Sequence, residues 1–511
     1  MVLHPAVLAA DAGTSSLKAV LYDREGRILR VAVRRYAYST PEPGWAEGDP
    51  EAWWTAFRDA VHELQADGLG LDQVEAVAFT GQMHSAVLLD AAHRVVPPTI
   101  LWLDRRAAAE TEELQAKLRL PSYQLNSTYT LPKLLWLSRR RPDIMEQART
   151  ILWPKDYLRF RLSGSINTDL TECGGAALLD WRTRTWSQEY LALTGLHPSV
   201  LPPILPAGEV VGRPLPGVAA ELGINPKARI INGVGDVAAL IGGAPPRPGR
   251  VVCSLGSSSM IFMALAPGQE ANDPASRLYV YPFLPPYRLA GGVSSTTGAS
   301  LVWMHQQVLR AQSAELNGEA GSWTFEQAMQ QALKTPPGSD GLVFLPYLAG
   351  ERSPYWSDNI RAGFYGLRLA HDRRHMLRAA MEGIAYSLRH LLDIYEEMGL
   401  PVEELALAGG GTKTPGLVQI IADVCGQDAA VYTEEETVTR VLFALCRQAL
   451  DGADMASVLE STFEPPAWIT RRPHLAAAYD AGYATYRHFS EFAAREAAPH
   501  SASSTADGAA G

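Results

Sequence analysis

The chain has 511 residues, too many for one ordinary core, so two domains of roughly 200–250 residues are expected. A formal net charge of −10, with 47% hydrophobic and 20% charged residues, describes a globular protein and argues against a nucleic-acid or anionic-membrane binder, although a local site can still take phosphate. Its four cysteines (Cys173, Cys253, Cys425, Cys446) have neither metal nor disulfide spacing, which fits reduced thiols.

No apolar run approaches the ~20 residues of a bilayer span. The apolar N-terminal stretch lacks a preceding basic run and is interrupted by Asp11, so neither a signal peptide nor a membrane span is expected and the cytoplasm is the expected location.

In chain order, residues 7–10 and 17–22 read as strands joined by Asp-Ala-Gly-Thr-Ser-Ser, with a third strand at 28–35. Asp49-Pro50 then opens an amphipathic helix, Asp49 as its cap and Pro50 at the first helical position. "VEAVAFTG" is a further buried strand, and the order predicts an α/β domain with a mixed sheet. Segment 205–230, rich in Pro and Gly, reads as surface loop, followed by "ARIINGVGD" as a strand ending on Asp236.

"GGAPPRPGR" at 242–250 is the clearest punctuation and divides the chain into domains at 1–245 and 246–496. Downstream come a strand-turn-strand at "RVVCSLGSSSMIFMAL", a strong helix at 375–398, and strand, glycine turn and helix in "ELALAGGGTKTPGLVQIIADVCG". Residues 497–511 are of low complexity and read as a disordered tail. Setting Gly13 beside Gly256 aligns "AADAGTSSLKAVL" with "VCSLGSSSMIFMA", as a duplicated fold would; Ser254 then stands where Asp11 stands.

The chemistry gathers at turns and strand ends. Gly13-Thr14-Ser15 and Gly256-Ser257-Ser258 are small enough for backbone N–H groups and hydroxyls to approach a phosphate. Asp11 then suits Mg²⁺, or alternatively a local Asx turn. Asp236 suits proton acceptance from an attacking hydroxyl, or else a helix N-cap. In "GQMHS", Met83 and His84 sit at a strand–loop junction, where a lone histidine is also a common structural residue. Trp102 and Asp104 offer sugar contacts, while an Asp/Arg pair at a helix start is the plainer reading. Gly409-Gly410-Gly411 can lie against a base or phosphate, and neither a P-loop nor an early Gly-x-Gly-x-x-Gly is present.

Taken together, the Asp-x-Gly-Thr-Ser hairpin, "TGQMHSAVLLD", "ILWLDRR", "WPKDYLRFRLSG", "GVGD", "SLGSSS", "LPYLAGERSPYW" and "AGGGTKTPGLVQIIADV" resemble the FGGY family of carbohydrate kinases from about residue 6 to 490, with the xylulokinase branch most similar through Gln82-Met83-His84, "PKDYL" and "YLAGERSP". The resemblance implies two actin-like (RNase H-fold) α/β domains around a cleft, with sugar mainly on the first and ATP mainly on the second. It implies Asp236 as catalytic base, Asp11 and Asp236 near Mg²⁺, and sugar contacts from Gln82, Met83, His84, Trp102, Asp104 and Asp236. It also implies phosphate and ATP contacts from Gly13, Thr14, Ser15, Gly256, Ser257, Ser258, Gly409, Gly410, Gly411 and Lys413, and a homodimer as the assembly.

Several positions depart from the xylulokinase pattern. Ser85 after the histidine and Tyr355-Trp356 after "GERSP" are gluconate-kinase-like, and the second turn is "LGSSS" in place of Leu-Gly-Thr-Ser-Gly. "TVTRVLFAL" (437–445) replaces a small-residue helix start, so Arg440 and Val441 are expected to alter packing behind the nucleotide pocket. Xylulose is the expected acceptor, with gluconate and other ketoses as alternatives. A nucleotide-binding regulatory protein that has lost catalysis is a further alternative, against which the retention of both Asp11 and Asp236 speaks.

Overall fold

The computed structural model describes residues 4–118, 125–180, 182–240, 243–275, 277–282, 287–308, 323–434 and 436–497. Of the tail expected at 497–511, Ala497 still belongs to the last helix and the rest lies outside these residues. In the first half, β1 (Val7–Ala12), β2 (Ser16–Tyr22) and β3 (Ile28–Arg35) form an antiparallel meander, after which α1 (Pro50–Leu64) crosses to β4 (Ala76–Gly81). Asp49 caps α1 through a 2.9 Å bond from the Glu51 N–H, with Pro50 in the first turn. Then come α2 (Leu170–Ala176), β5 (Val210–Gly212), β6 (Arg229–Ile231) and the short α3 (Asp236–Leu240).

The second half repeats the plan. Strands β7 (Arg250–Leu255), β8 (Ser259–Leu265), β9 (Tyr279–Pro282) and β10 (Arg288–Ser294) lead through the long α4 (Arg373–Glu397) to β11 (Glu404–Ala408), α5 (Leu417–Cys425) and β12 (Ala429–Val431). Helix α6 (Thr437–Asp451), β13 (Ala467–Ile469) and α7 (Ala476–Ala497) complete it. Among the described residues, no helix is long and apolar enough to cross a membrane.

The first sheet runs β5-β6-β4-β1-β2-β3 and the second β9-β10-β8-β7-β11-β12-β13. In each, an antiparallel hairpin (β1/β2, β7/β8) joins two parallel neighbours (β4 and β6, β11 and β12) and then an antiparallel edge strand. The topology repeats where the Gly13/Gly256 alignment placed a duplication. Segment 205–230 proves more ordered than a surface loop: it holds β5, a helix at Pro216–Leu222 and the start of β6. Three-residue strands and a seven-residue helix started by a proline and stopped by Gly223 are too short to leave a periodic signal.

Strand alternation decides what faces the cleft. On β1, Leu8, Ala10 and Ala12 pack with α1, whereas Val7 and Ala9 join a second core shared by both domains. Period two therefore places Asp11 on the interdomain face. On β7, Val252 joins the same shared core, which puts Ser254 on that face too. The shared core also takes in Ala238 and Ala239 of α3, Ala406 and Ala408 of β11, and Val441 to Cys446 of α6.

Helix α6 thus packs on the N-terminal sheet between the domains, which corrects the expectation that Arg440 and Val441 stand behind the nucleotide pocket. The Val441 side chain is fully buried. Arg440 reaches Glu434 at 2.6 Å and the Gly26 carbonyl at 3.0 Å, so its charge is spent on the interface. Tyr22 and Thr439 share a 2.7 Å hydroxyl contact, and the Phe443 ring lies 5.1 Å from Tyr22. A buried phenylalanine truncated to alanine costs about 3–5 kcal/mol. Phe443→Ala is therefore expected to lower the calorimetric melting temperature by several degrees, with Phe443→Leu shifting it far less; equal melting of Phe443→Ala and wild type would refute the account of this interface.

Candidate active site

A cleft of about 1180 Å³ opens where the two sheets face each other. The N-terminal half lines it with Met83, His84, Trp102, Tyr129 and Asp236, and the C-terminal half with Ser258, Tyr279, Glu351, Arg352 and Trp356. This volume exceeds the usual range for one small ligand, roughly 300–1,000 Å³.

The first turn is tight: the Gly13 N–H bonds the Ser16 carbonyl at 3.0 Å, and the Tyr36 hydroxyl donates to the Gly13 carbonyl at 2.6 Å. Gln82 is buried and donates to that same carbonyl at 3.4 Å, so it stands under the turn and does not line the cleft. Thr14 Oγ1 accepts from Trp102 Nε1 at 2.9 Å, tying the turn to the indole that lines the cleft. The second turn closes through a 3.0 Å bond from the Gly256 N–H to the Ser258 carbonyl. Its Gly256 carbonyl accepts from Gly298 N and its Ser257 carbonyl from Thr297 N, both at 2.9 Å. A Cβ on Gly298 would stand 2.6 Å from that Gly256 carbonyl, so the close approach needs glycine.

Two carboxylates occupy the corner between the turns. Asp11 Oδ1 is buried without a hydrogen-bond partner among the described residues, so it is not spent on an Asx turn. Burial lifts the Asp11 carboxyl to about 6, opposed by Lys18 and reinforced by Glu436. Asp236 is lifted further, to about 7, by burial and then by the charge of Asp11, while the N–H groups of Val237 and of Asp236 itself pull it back. It is also the first residue of α3, one position inside the cap expected of it, and it lines the cleft. Among the described residues no group of three or more His, Cys, Asp or Glu is arranged to hold a metal unaided. An orphaned carboxylate oxygen beside a second carboxylate fits Mg²⁺, which commonly takes one or two carboxylates with waters and phosphate oxygens.

On the same N-terminal wall, His84 holds a left-handed backbone (φ 67°). Its Nδ1 meets the Gly175 carbonyl, which can only accept, so Nδ1 carries the proton and Nε2 is left as an acceptor. Burial depresses its pKa to about 4, which keeps the ring neutral. Met83 is wedged between two glycines: a Cβ on Gly235 would stand 2.6 Å from its sulfur, and one on Gly175 would overlap its methyl.

Asp104 departs from the expectation of a sugar contact. It is buried, accepts from Ala46 N at 2.5 Å and Arg106 N at 2.8 Å, and forms a 2.8 Å ion pair with the Arg106 guanidinium. That is the plainer Asp/Arg reading, with Arg106 as the partner. Gly409 to Gly411 form a tight turn against β7, where a Cβ on Gly409 would stand 2.7 Å from the Leu255 carbonyl; Lys413 ends the turn exposed.

Sequence reasoning from the residues did not find Tyr129, Tyr279, Arg352 or the buried Glu351, whose carboxyl burial lifts to about 7. Tyr129 and Tyr279 come from segments far apart in the chain and leave no local pattern, while Glu351 and Arg352 lie inside "LPYLAGERSPYW", which carried the resemblance but no role for either residue. Helix α2 did leave one, because the Gly174-Gly175 pair inside a helix is costly unless something approaches closely.

Comparison with known proteins matches this arrangement. The N-terminal domain of the FGGY family of carbohydrate kinases matches residues 6–242 and its C-terminal domain residues 251–440. The xylulose kinase of Bacillus subtilis (strain 168) is 31% identical over 82% of this chain and 83% of its own. Among solved structures, xylulose kinase from Rhodospirillum rubrum superposes with a TM-score of 0.86 at 27% identity, covering 96% of this chain and 99% of that one. Gluconate kinase from Lactobacillus acidophilus gives 0.86 at 26% identity, over 96% and 98%. With both family halves in order on a repeated two-domain frame, and a cleft between them that pairs phosphate-sized turns with carboxylates, the chain belongs to the FGGY carbohydrate kinases, which transfer phosphate from ATP to a sugar hydroxyl.

Proposed function

We propose that the protein is a cytoplasmic, Mg²⁺-dependent xylulokinase that converts D-xylulose and ATP to D-xylulose 5-phosphate and ADP. The observation that carries this reading is Asp236, poised at about 7 in a cleft that also presents Met83, His84 and Trp102. Domains at 1–245 and 246–496 divide the task, the first holding the sugar and the second the nucleotide.

In this mechanism Asp236 accepts the proton of the terminal hydroxyl as that oxygen attacks the γ-phosphorus, and the same carboxylate orients the attack. His84 Nε2 accepts from a second sugar hydroxyl, and the Trp102 face packs on the carbon chain. N–H groups and hydroxyls of Thr14, Ser15, Ser257 and Ser258 steady the transferring phosphoryl group, and Gly409 to Gly411 take the adenosine side with Lys413. Mg²⁺ bound beside Asp11 and Asp236 supplies charge compensation for the phosphates. Because phosphoryl transfer asks mainly for positioning and charge balance, approach of the two domains governs water exclusion.

A second reading, gluconate as acceptor, is favoured by Ser85, by Tyr355-Trp356, and by the gluconokinase of Bacillus subtilis (strain 168), 26% identical over 84% of this chain. Coupled ADP-release assays with xylulose, gluconate, ribulose and glycerol decide between them. Xylulose is expected to give a kcat/KM at least tenfold above the others; a higher value for gluconate would replace the first reading with the second, and no sugar-stimulated release would remove both.

Replacement of the base separates activity from stability. Asp236→Asn is expected to lower kcat by about 10²–10⁴-fold with little change in acceptor KM. In protein free of metal and nucleotide the sign of the stability effect is opposite. Asp236 titrates near 3.8 unfolded and at about 7 folded, so the folded state holds the proton more tightly and stability declines as pH rises through that interval. Asp236→Asn should therefore raise the melting temperature at pH 8 and leave it little changed below pH 4. A destabilised variant at pH 8 would contradict the electrostatic account of this corner.

A further inference from the structure

Helix α2 touches both working segments of the N-terminal wall at once. The Thr171 hydroxyl accepts from Gly235 N at 2.8 Å, next to Asp236, and donates to Asp169 at 2.5 Å. One residue on, Glu172 Oε1 accepts from His84 N at 3.3 Å. A turn later the Gly175 carbonyl takes His84 Nδ1, and the bare Gly175 face admits Met83. Thr130 Oγ1 holds the next peptide unit of the same residue, donating to the His84 carbonyl at 3.0 Å. A left-handed histidine persists only where its surroundings over-determine it, and here its N–H, C=O and ring are all held.

The helix is itself fixed from below. Asp169 caps it through a 2.8 Å bond from Thr171 N and pairs with Lys155 Nζ at 2.9 Å. Lys155 also pairs with Asp156 at 2.6 Å, and Asp156 with Arg159 at 3.0 Å. Arg159 continues to Asn232 Oδ1 at 2.8 Å, on the segment that leads to Asp236. All four charged side chains are buried, and a buried network of this kind tolerates few alternative arrangements.

We propose that α2 is the spacer that sets the distance between the base-bearing loop at 233–236 and the acceptor-binding loop at 82–85, with Glu172 and Thr171 as positioning residues. Glu172 sets the acceptor side by holding the His84 peptide in its left-handed form, and Thr171 sets the base side by holding Gly235. The assignment rests on the reading of Asp236 as base and His84 as sugar contact. Glu172 needs only an acceptor oxygen for this task, which glutamine supplies equally well.

The test uses the full chain. Glu172→Ala is expected to raise the acceptor KM at least tenfold with the ATP KM within twofold, and to speed hydrogen–deuterium exchange at the His84 amide in sugar-free protein. Glu172→Gln should stay within threefold of wild type in all three. Thr171→Val should lower kcat at least tenfold with the acceptor KM nearly unchanged, and Thr171→Ser should restore it. An acceptor KM for Glu172→Ala within twofold of wild type, unchanged exchange at His84, or a Glu172→Gln as impaired as the alanine variant would each overturn the proposal. If Glu172→Ala fails to fold, the Thr171 pair decides alone: equal kcat in the valine and serine variants would overturn it. A wild type inactive on every acceptor would instead defeat the kinase reading, and the exchange measurement would still judge the role of Glu172.

Discussion

Two carboxylates share a buried corner, and much of the molecule is arranged to keep them there. Asp11 and Asp236 each resist ionisation because burial removes water, and Asp236 resists further because Asp11 is close. Left alone, such a pair would be a liability that any substitution to a neutral residue would relieve. The fold holds it in place with backbone alternation on β1, the start of α3, and Lys18, which lies opposite Asp11 in the β1/β2 register and pairs with Glu436 at 2.9 Å. A divalent cation with a polyphosphate is the kind of ligand that turns this cost into affinity, since the positive ion favours the charged form of both acids. Strain of this sort is the usual mark of a working site.

The shared apolar core explains how two domains can present one corner. Residues from both sheets, α3 and α6 bury their side chains in it, so the base of the cleft is built like a protein interior and not like a wet domain contact. Such a base constrains the floor, where the turns and carboxylates meet. Lys18 to Glu436 crosses the domains at that floor, beside Asp11.

Much of this was legible in the sequence because it follows from local rules. The period-two run into Asp11, the Asp49-Pro50 start of α1, the two small-residue turns and the second acid at Asp236 each carry their physical reason within a few residues. What was not legible depends on who packs against whom. Asp104 reads as a sugar contact until its partners are known: the Ala46 amide lies 58 residues away, and the carboxylate is spent on a salt bridge to Arg106. The bulky 437–445 stretch looked like a perturbation of the nucleotide pocket, but its side chains fill the space between domains. Nor do the glycines of "GVGD" show their reason locally: Gly233 is required because a Cβ there would overlap the Phe79 carbonyl, and Gly235 because Met83 fills its place.

The same packing bears on which residues can discriminate among acceptors. Ser85, which sets this chain apart from the xylulokinase pattern, is fully buried. Its hydroxyl donates to the Met83 carbonyl at 3.3 Å and accepts from Trp102 N at 3.1 Å. It therefore touches backbone and not the cleft, and its influence on a sugar passes through the seating of Met83 and Trp102. The residues that do face the cleft opposite His84 come from the other domain: Tyr279 and Trp356, with rings 6.1 Å apart, and Arg352 beside Tyr279. Trp356 is pinned by a 3.1 Å bond from its indole N–H to the Arg277 carbonyl. A neutral ketose and a sugar acid differ by a carboxylate, and among these facing residues Arg352 is the one whose charge would register that difference. Residues of both halves of the chain thus line the space that an acceptor would enter, so discrimination between a ketose and a sugar acid need not rest on the N-terminal wall alone.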